Sequence, residues 1–286
     1  MQEIIFAGYE TIIHEKERNA EMKKINEKLN EKELREIWKH EEELAHIKGW
    51  DFSYLDGRFE EDDRFPWDYA DLIHQYVTDD MKIMDYDTGG GEFLLSLNHP
   101  YKNTSATEGW EPNVKLCEER LLPLGIDFRT CNDASNLPFE DESFDACINR
   151  HGDFDPKELC RVLKPNGLFI TQQVGDRNDR DLVELVLPEA ENPFPGQNKD
   201  NQVKLLKEAG FEILKSDEVF RPIRFYDVGA FVWFARVIVW EFPDFSVDRC
   251  FDKLLELQQI IEEKGFIEGT IHRYMIVARN FSSAIA

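Results

Sequence analysis

From Met81 the chain alternates short apolar runs with segments of helix length, and this pattern constrains its fold more than any other feature. MKIMDY (81–86) leads into a glycine triplet and GGGEFLLSL (89–97). TSATE (104–108) is followed by EPNVKLCEERLLPL (111–124). IDFRT (126–130) and FDACIN (144–149) precede PKELCRVLK (156–164), and GLFITQQV (167–174) closes the series. Short apolar runs separated by helical segments predict parallel strands joined by crossover helices. Beyond Gly210, residues 211–227 read as a long extended stretch. Residues 228–240 form a buried strand or helix, 246–265 an amphipathic helix and 270–280 a last strand. In the amphipathic helix, Phe251, Leu254, Leu255, Leu257, Ile260 and Ile261 make the apolar stripe.

The region before this alternation has a different character. Residues 14–48 are dominated by Glu and Lys without Gly or Pro. Met22, Ile25 and Leu29, then Leu34, Ile37 and Trp38, recur at helical spacing. Glu31 with Arg35 and Lys32 with Glu36 form i,i+4 pairs, so one or two exposed helices are expected. Such a segment reads as a solvated helical face, or as a lid or homodimer arm. Gly49, Gly57 and the acidic run Glu60 to Asp63 read as a loop, and Pro66 suits the first turn of a helix reaching Val77. Phe65, Trp67 and Tyr69 are core residues or one wall of a pocket. The expected division is a helical extension over 1–64 and an α/β domain over 65–286.

Composition narrows the partners. The 286 residues include 58 acidic and 34 basic side chains, a net charge of −24. Such a charge repels a phosphate backbone and argues against nucleic acid. No run approaches the roughly 20 apolar residues of a membrane span, and the N-terminus lacks the pattern of a secretory signal. The five cysteines, Cys117, Cys131, Cys147, Cys160 and Cys250, include no C-x-x-C pair. That favours reduced thiols in a cytoplasmic protein over a zinc knuckle or disulfide scaffold, and no metal site is expected.

The chemistry is concentrated in Asp85-Tyr86-Asp87-Thr88-Gly89-Gly90-Gly91-Glu92. Glycine permits positive φ and close approach of a ligand to the backbone. The following helix start offers free N–H groups to an anion. A P-loop fails because no Lys follows the glycines. A dinucleotide fingerprint fits Gly89 and Gly91 but finds Leu94 at its third glycine. An ordinary strand–helix turn and a turn that binds S-adenosylmethionine remain. Glu108 closes the second strand, where a carboxylate can accept both ribose hydroxyls. Asp133, at the tip of the third strand, can accept an adenine amino group.

The stretch from Asp133 to Asp145, DASNLPFEDESFD, and the stretch from Arg161 to Gly167, RVLKPNG, resemble the class I S-adenosylmethionine-dependent methyltransferase family, of the type 11 kind. The likeness covers about residues 81–175. It implies a Rossmann-like, seven-stranded, mostly parallel sheet with helices on both faces and the last strand antiparallel. It also implies that Asp85, Gly89 and Gly91 line the methionine end of the cofactor and that Glu108, beside Gly109, holds the ribose. Asp133 and Ala134 would face the adenine, with Trp110 or Leu137 as a ring wall. Asp87 stands where the family usually has its first glycine, so it either binds the cofactor's ammonium or crowds the site.

In that family the acceptor sits past the fourth and fifth strands, here Asn149-Arg150-His151-Gly152-Asp153 and Thr171-Gln172-Gln173-Val174-Gly175. His151 is the candidate base, since an imidazole titrates near neutral pH. Arg150 is a candidate anion ligand or an ordinary surface ion pair. Gln172 and Gln173 point to opposite sheet faces, so at most one faces the site. Asn149 is a further candidate for cofactor binding, and it lacks the Pro-Pro-aromatic sequel of nucleic-acid amino methylation. The aromatics Phe225, Tyr226, Phe231, Trp233, Phe234 and Trp240 are core, or an acceptor pocket. The expected activity is methyl transfer to a small molecule. The alternatives are a non-catalytic cofactor-binding or regulatory protein, an RNA or protein methyltransferase and, more distantly, a nicotinamide oxidoreductase.

Overall fold

The computed structural model describes residues 29–47 and 51–281. The expected helix over 14–28, with Met22 and Ile25, and Gly49 lie outside them. The chain divides into two units: residues 1–62, 179–193 and 222–270, and residues 63–178, 194–221 and 271–286. The sequence reading instead assigns everything after residue 64 to one domain.

In the first unit, α1 spans Glu31–Leu44. Its start is a reciprocal cap. The Asn30 side chain accepts from the N–H groups of Lys32 and Glu33, and Glu33 accepts from the Asn30 N–H at 2.8 Å. Leu34 and Trp38 are buried on one face. Lys32 pairs with Glu36, whereas Arg35 reaches Asp248 at 2.7 Å rather than Glu31. The ambiguous apolar run 228–240 contains a helix, α8 Val228–Val237, whose start is fixed by Asp227 accepting from the Ala230 N–H. Phe225, Phe231 and Trp233 are fully buried, and Phe231 meets Phe242 and Phe245 edge-on, so this aromatic run is largely core. Trp240 is exposed. The amphipathic helix is α9 Val247–Lys264.

The second unit holds most of the sheet: β2 Ile83–Tyr86, β3 Thr104–Glu108, β4 Asp127–Thr130, β5 Phe144–Arg150 and β6 Leu163–Val174. β7 Phe211–Phe225 and β8 Ile267–Asn280 begin or end in it. With a short β1, Phe59–Glu61, the strand order is β1-β7-β8-β6-β5-β2-β3-β4. β2, β3, β4, β5 and β6 pair in parallel, and β8 runs antiparallel to β6. There are therefore eight strands where seven are expected. The added one comes from residues read as loop: Phe59, Glu60 and Glu61 pair antiparallel with Phe225, Arg224 and Ile223. A three-residue, charged edge strand carries too little periodicity to be recognised in sequence.

Helices cover both faces. Leu72 and Ile73 of α2 (Tyr69–Tyr76), Leu94 of α3 (Glu92–Ser96) and Val114 of α4 (Glu111–Arg120) pack with Ile83 and Ile148. Leu159 of α5 (Pro156–Val162) and Leu206 of α7 (Lys199–Glu208) pack with Met84 and Phe169 on the other face. α6 Arg180–Val186 belongs to the first unit. α2 starts later than Pro66 suggests, because the Asp68 side chain caps it by accepting from the Asp71 N–H. Strand order reverses between β2 and β5, and ligands of open α/β sheets bind in the crevice outside the carboxyl ends of such a pair.

Candidate functional site

The carboxyl ends of β2, β3 and β5 bring most of the sequence-derived site residues into the second unit. Asp85 ends up 3% exposed, and its Oδ2 accepts from the Thr88 hydroxyl at 2.6 Å. Burial pushes its carboxyl up to about 7. The charges of Asp87 and Glu108 add to this, while the Thr88 hydrogen bond and the Arg150 charge oppose it.

Asp87 takes φ +59°, a left-handed conformation that explains why glycine suits this position and that Asp tolerates better than most residues. Its carboxylate turns toward Gly152: a Cβ placed there would lie 2.5 Å from Asp87 Oδ2. Asp87 is exposed as a residue, so its carboxyl is only partly desolvated. That desolvation, with Glu108 and Asp153 nearby, pushes it up to about 6. Gly89 (φ +64°) has open space where a Cβ would be, and Gly91 (φ +80°) turns the chain into α3.

At the end of β3, Glu108 is 2% exposed. Its Oε1 accepts from the N–H groups of Gly109 and Trp110, both at 2.8 Å, while Oε2 has a 3.4 Å contact from Asn113, and the Asp87 carboxyl is a further hydrogen-bonding neighbour of this side chain. Gly109 has no room for a side chain, since a Cβ would sit 2.6 Å from Cys131 O. The Trp110 ring is 59% exposed beside it. Asp133 is exposed and closes a local turn on Ser135, which holds its carboxyl below the ordinary range. Ala134 is half-buried and Leu137 buried. Arg161 fastens this loop by donating to Leu137 O, Phe139 O and Asp141, and Glu158 accepts from the Leu137 N–H.

Asn149 is fully buried and engaged. Its amide donates to Tyr86 O at 2.8 Å, and its Oδ1 accepts from the Gln173 amide. The Gln173 amide also donates to Gly152 O, while its own Oε1 is buried without a partner among the described residues. Gln172 faces the other way. Its Oε1 accepts from the Trp67 indole N–H at 2.8 Å, which turns its amide nitrogen toward His151 Nε2 at 3.3 Å. That orientation makes Nε2 the acceptor and puts the imidazole proton on Nδ1. Desolvation and the charges of Arg273 and Arg150 hold the His151 imidazole well below the ordinary histidine range. Because the residue is exposed, solvent screens those charges.

Arg150 lies over the Phe93 ring at 4.7 Å, and Phe93 stacks on Tyr69. The Tyr69 hydroxyl ties β5 to β6 through Asn149 O and Ile170 O, at 2.9 and 2.8 Å. Phe93 and Arg273 are not marked as site residues by the sequence, and Asp153 stands there only as the end of the acceptor segment. Nothing in their local sequence marks them, since only strand register and helix packing bring them here. A second histidine, His272, is 1% exposed with both nitrogens occupied, by the Arg177 N–H and by Glu218. It stacks on Phe220 as a fixed structural group.

The fold and the strand-end arrangement are similar to those of a methyltransferase domain. Residues 84–171 match the family described as a methyltransferase domain. Over 88 residues it is 38% identical to a phthiotriol/phenolphthiotriol dimycocerosates methyltransferase of Mycobacterium tuberculosis, covering 28% of this chain and 32% of that one. The Mycobacterium leprae counterpart is 36% identical over 86 residues, 28% and 31% of the two chains. The chain thus matches about a third of the length of these curated relatives. A proposed methyltransferase from Bacillus halodurans has the same fold, with TM-score 0.54 and 18% identity over 74% of this chain and 98% of the other. Among the described residues no helix is long and apolar enough to cross a membrane, and no cluster of His, Cys, Asp or Glu could hold a metal.

Proposed function

We propose that the protein transfers a methyl group from S-adenosylmethionine to a small-molecule acceptor, leaving S-adenosylhomocysteine. The observation that carries this reading is the convergence, at the carboxyl ends of β2 and β3, of two buried carboxylates, an open glycine turn and an exposed indole. These residues fit the cofactor. Gly89 leaves space, Asp87 is turned toward Gly152 instead of filling that space, and Glu108 is held at the strand end by the Gly109 and Trp110 N–H groups.

Asp85, Asp87, Gly89 and Gly91 would hold the methionine end, Glu108 and Gly109 the ribose, and Trp110, Asp133 and Ala134 the adenine. Asn149 would act as the brace between β2 and β6. Bound there, the cofactor supplies an electrophilic methyl group on a sulfonium. With a hydroxyl acceptor, His151 would be the residue to take the proton, at Nε2, once the acceptor hydroxyl displaces the Gln172 amide from that nitrogen. Until then Gln172, oriented by Trp67, keeps the imidazole proton on Nδ1. Arg150 and Gln172 would contact the acceptor, while Gln173 works on the opposite face.

The mycobacterial relatives are named for phthiotriol and phenolphthiotriol dimycocerosates, which supports a small-molecule acceptor. The net charge of −24 argues in the same direction. Five free cysteines suit a cytoplasmic location.

The test offers tritiated S-adenosylmethionine and a fractionated small-molecule extract to the protein. Label is expected in a low-mass product, with turnover falling at least tenfold in His151→Ala. Saturable cofactor binding with no label in any fraction would overturn the catalytic reading in favour of a cofactor-binding regulatory protein.

A further inference from the structure

Arg150, like Arg177, is an arginine of the second unit that lies over an aromatic ring without an ion pair among the described residues. Arg120, Arg129, Arg161 and Arg279, in the same unit, each have a carboxylate within ion-pair distance. Such pairing is expected in a chain with 58 acidic residues. Arg150 forms no ion pair among the described residues, and its guanidinium rests on the Phe93 ring. The sequence reading had an ordinary ion pair as its alternative, and the structure removes it.

Strand register shows what surrounds this cation. Arg150 pairs with Gln172 across the parallel β5–β6 ladder, so the two side chains stand on the same face. Gln172 pairs with Met275, and Arg273 lies two residues before Met275 on β8, again on that face. Arg273 is oriented by the Asn178 side chain and its own strand's His272 O. Trp67 closes the row by donating to Gln172. Two guanidiniums, an imidazole and an indole therefore share one face at the carboxyl ends of β5 and β6 and the amino-terminal half of β8. The acids of the cofactor region, Asp85 and Glu108, sit on β2 and β3.

Resting on the methyl-transfer reading, we propose that this face recognises an oxyanion on the acceptor, a carboxylate or phosphate, with Arg150 as its principal ligand. A planar guanidinium presents paired donors that match the two oxygens of such a group. Phe93 supports the guanidinium from behind. Arg150 is thus a specificity-determining residue. It selects acidic acceptors and places their reactive hydroxyl beside His151.

Calorimetry on the full chain saturated with S-adenosylhomocysteine tests the proposal, with benzoate, phenyl phosphate and neutral benzamide as probes. At least one of the two anions is expected to bind tenfold or more tightly than benzamide, and the stronger identifies the source. Arg150→Gln should erase that preference, Arg150→Lys should restore part of it, and S-adenosylhomocysteine affinity should stay within threefold. Equal binding of all three probes, binding of none, or a preference unchanged in Arg150→Gln overturns the anion site. So does a loss in Arg150→Gln of cofactor-product affinity instead of probe affinity, which would assign Arg150 to the cofactor's own carboxylate. If the wild-type chain fails to bind S-adenosylhomocysteine, the cofactor reading itself fails, and that result is separable from the others.

Discussion

At Asp85 stability and binding pull in opposite directions. The folded carboxyl is raised to about 7 from an ordinary 3.8, chiefly by burial. The raised value means that its contribution to stability is fully present below about pH 4 and is lost as pH rises through 7. Asp85→Asn, which can keep the Thr88 contact, should therefore stabilise the protein at pH 8 by on the order of 2–4 kcal/mol, the equivalent of about three pKa units. It should make no difference near pH 4 and should abolish cofactor binding. Thermal melts at both pH values check this, and equal melting of the two proteins at pH 8 would contradict it. Asp87 is the second test. If its carboxylate serves a cationic ligand, Asp87→Gly should weaken S-adenosylmethionine binding three- to tenfold at pH 8. Tighter binding in the glycine variant would mean that the native side chain crowds the site. The sequence showed that Asp87 was odd but not where its carboxylate points, because that depends on Gly152, 65 positions away.

Between elements, the loop after β4 shows why two separated stretches of sequence jointly signalled the family. Residues 137–141 are held by Glu158 and Arg161 of α5, through hydrogen bonds of 2.6 to 3.0 Å to Leu137, Phe139 and Asp141. Arg161→Ala leaves Glu158 without its partner and three acceptors unfilled. It should cost roughly 1–3 kcal/mol, less than a fully buried pair because Arg161 is partly exposed. It should also weaken binding of adenosine-containing ligands. Urea unfolding measures the first effect, and a loss under about 0.5 kcal/mol would show that the loop holds itself. The strands of the second unit were legible because each is a short apolar run between turn signals. The run 228–240 was not, because a helix buried on all sides has no polar face to reveal its period. Asp227 at its start was the available cue. β1 and the late start of α2 escaped for a related reason: pairing with β7 and capping by Asp68 are settled by contacts, not by composition.

For the whole molecule, the alternation from β2 to β6 gave the sheet and its switch point, and the switch point gave the place of the site. The two-unit division was beyond reach, since residues 179–193 and 222–270 join residues 1–62 only through distant packing. A single acidic charge of −24 likewise hides an arginine face at β5, β6 and β8. The central claim is that the strand-end carboxylates form a cofactor site. The direct measurement is calorimetric titration of S-adenosylmethionine and S-adenosylhomocysteine into the full chain, with NAD as control and Glu108→Ala in parallel. Micromolar binding of both, none of NAD, and at least a tenfold loss in Glu108→Ala is the predicted result. Saturating ligand, at about 100 times its dissociation constant, should also stabilise the fold by about 2.7 kcal/mol. No binding at millimolar concentration, or binding indifferent to Glu108, would contradict the account.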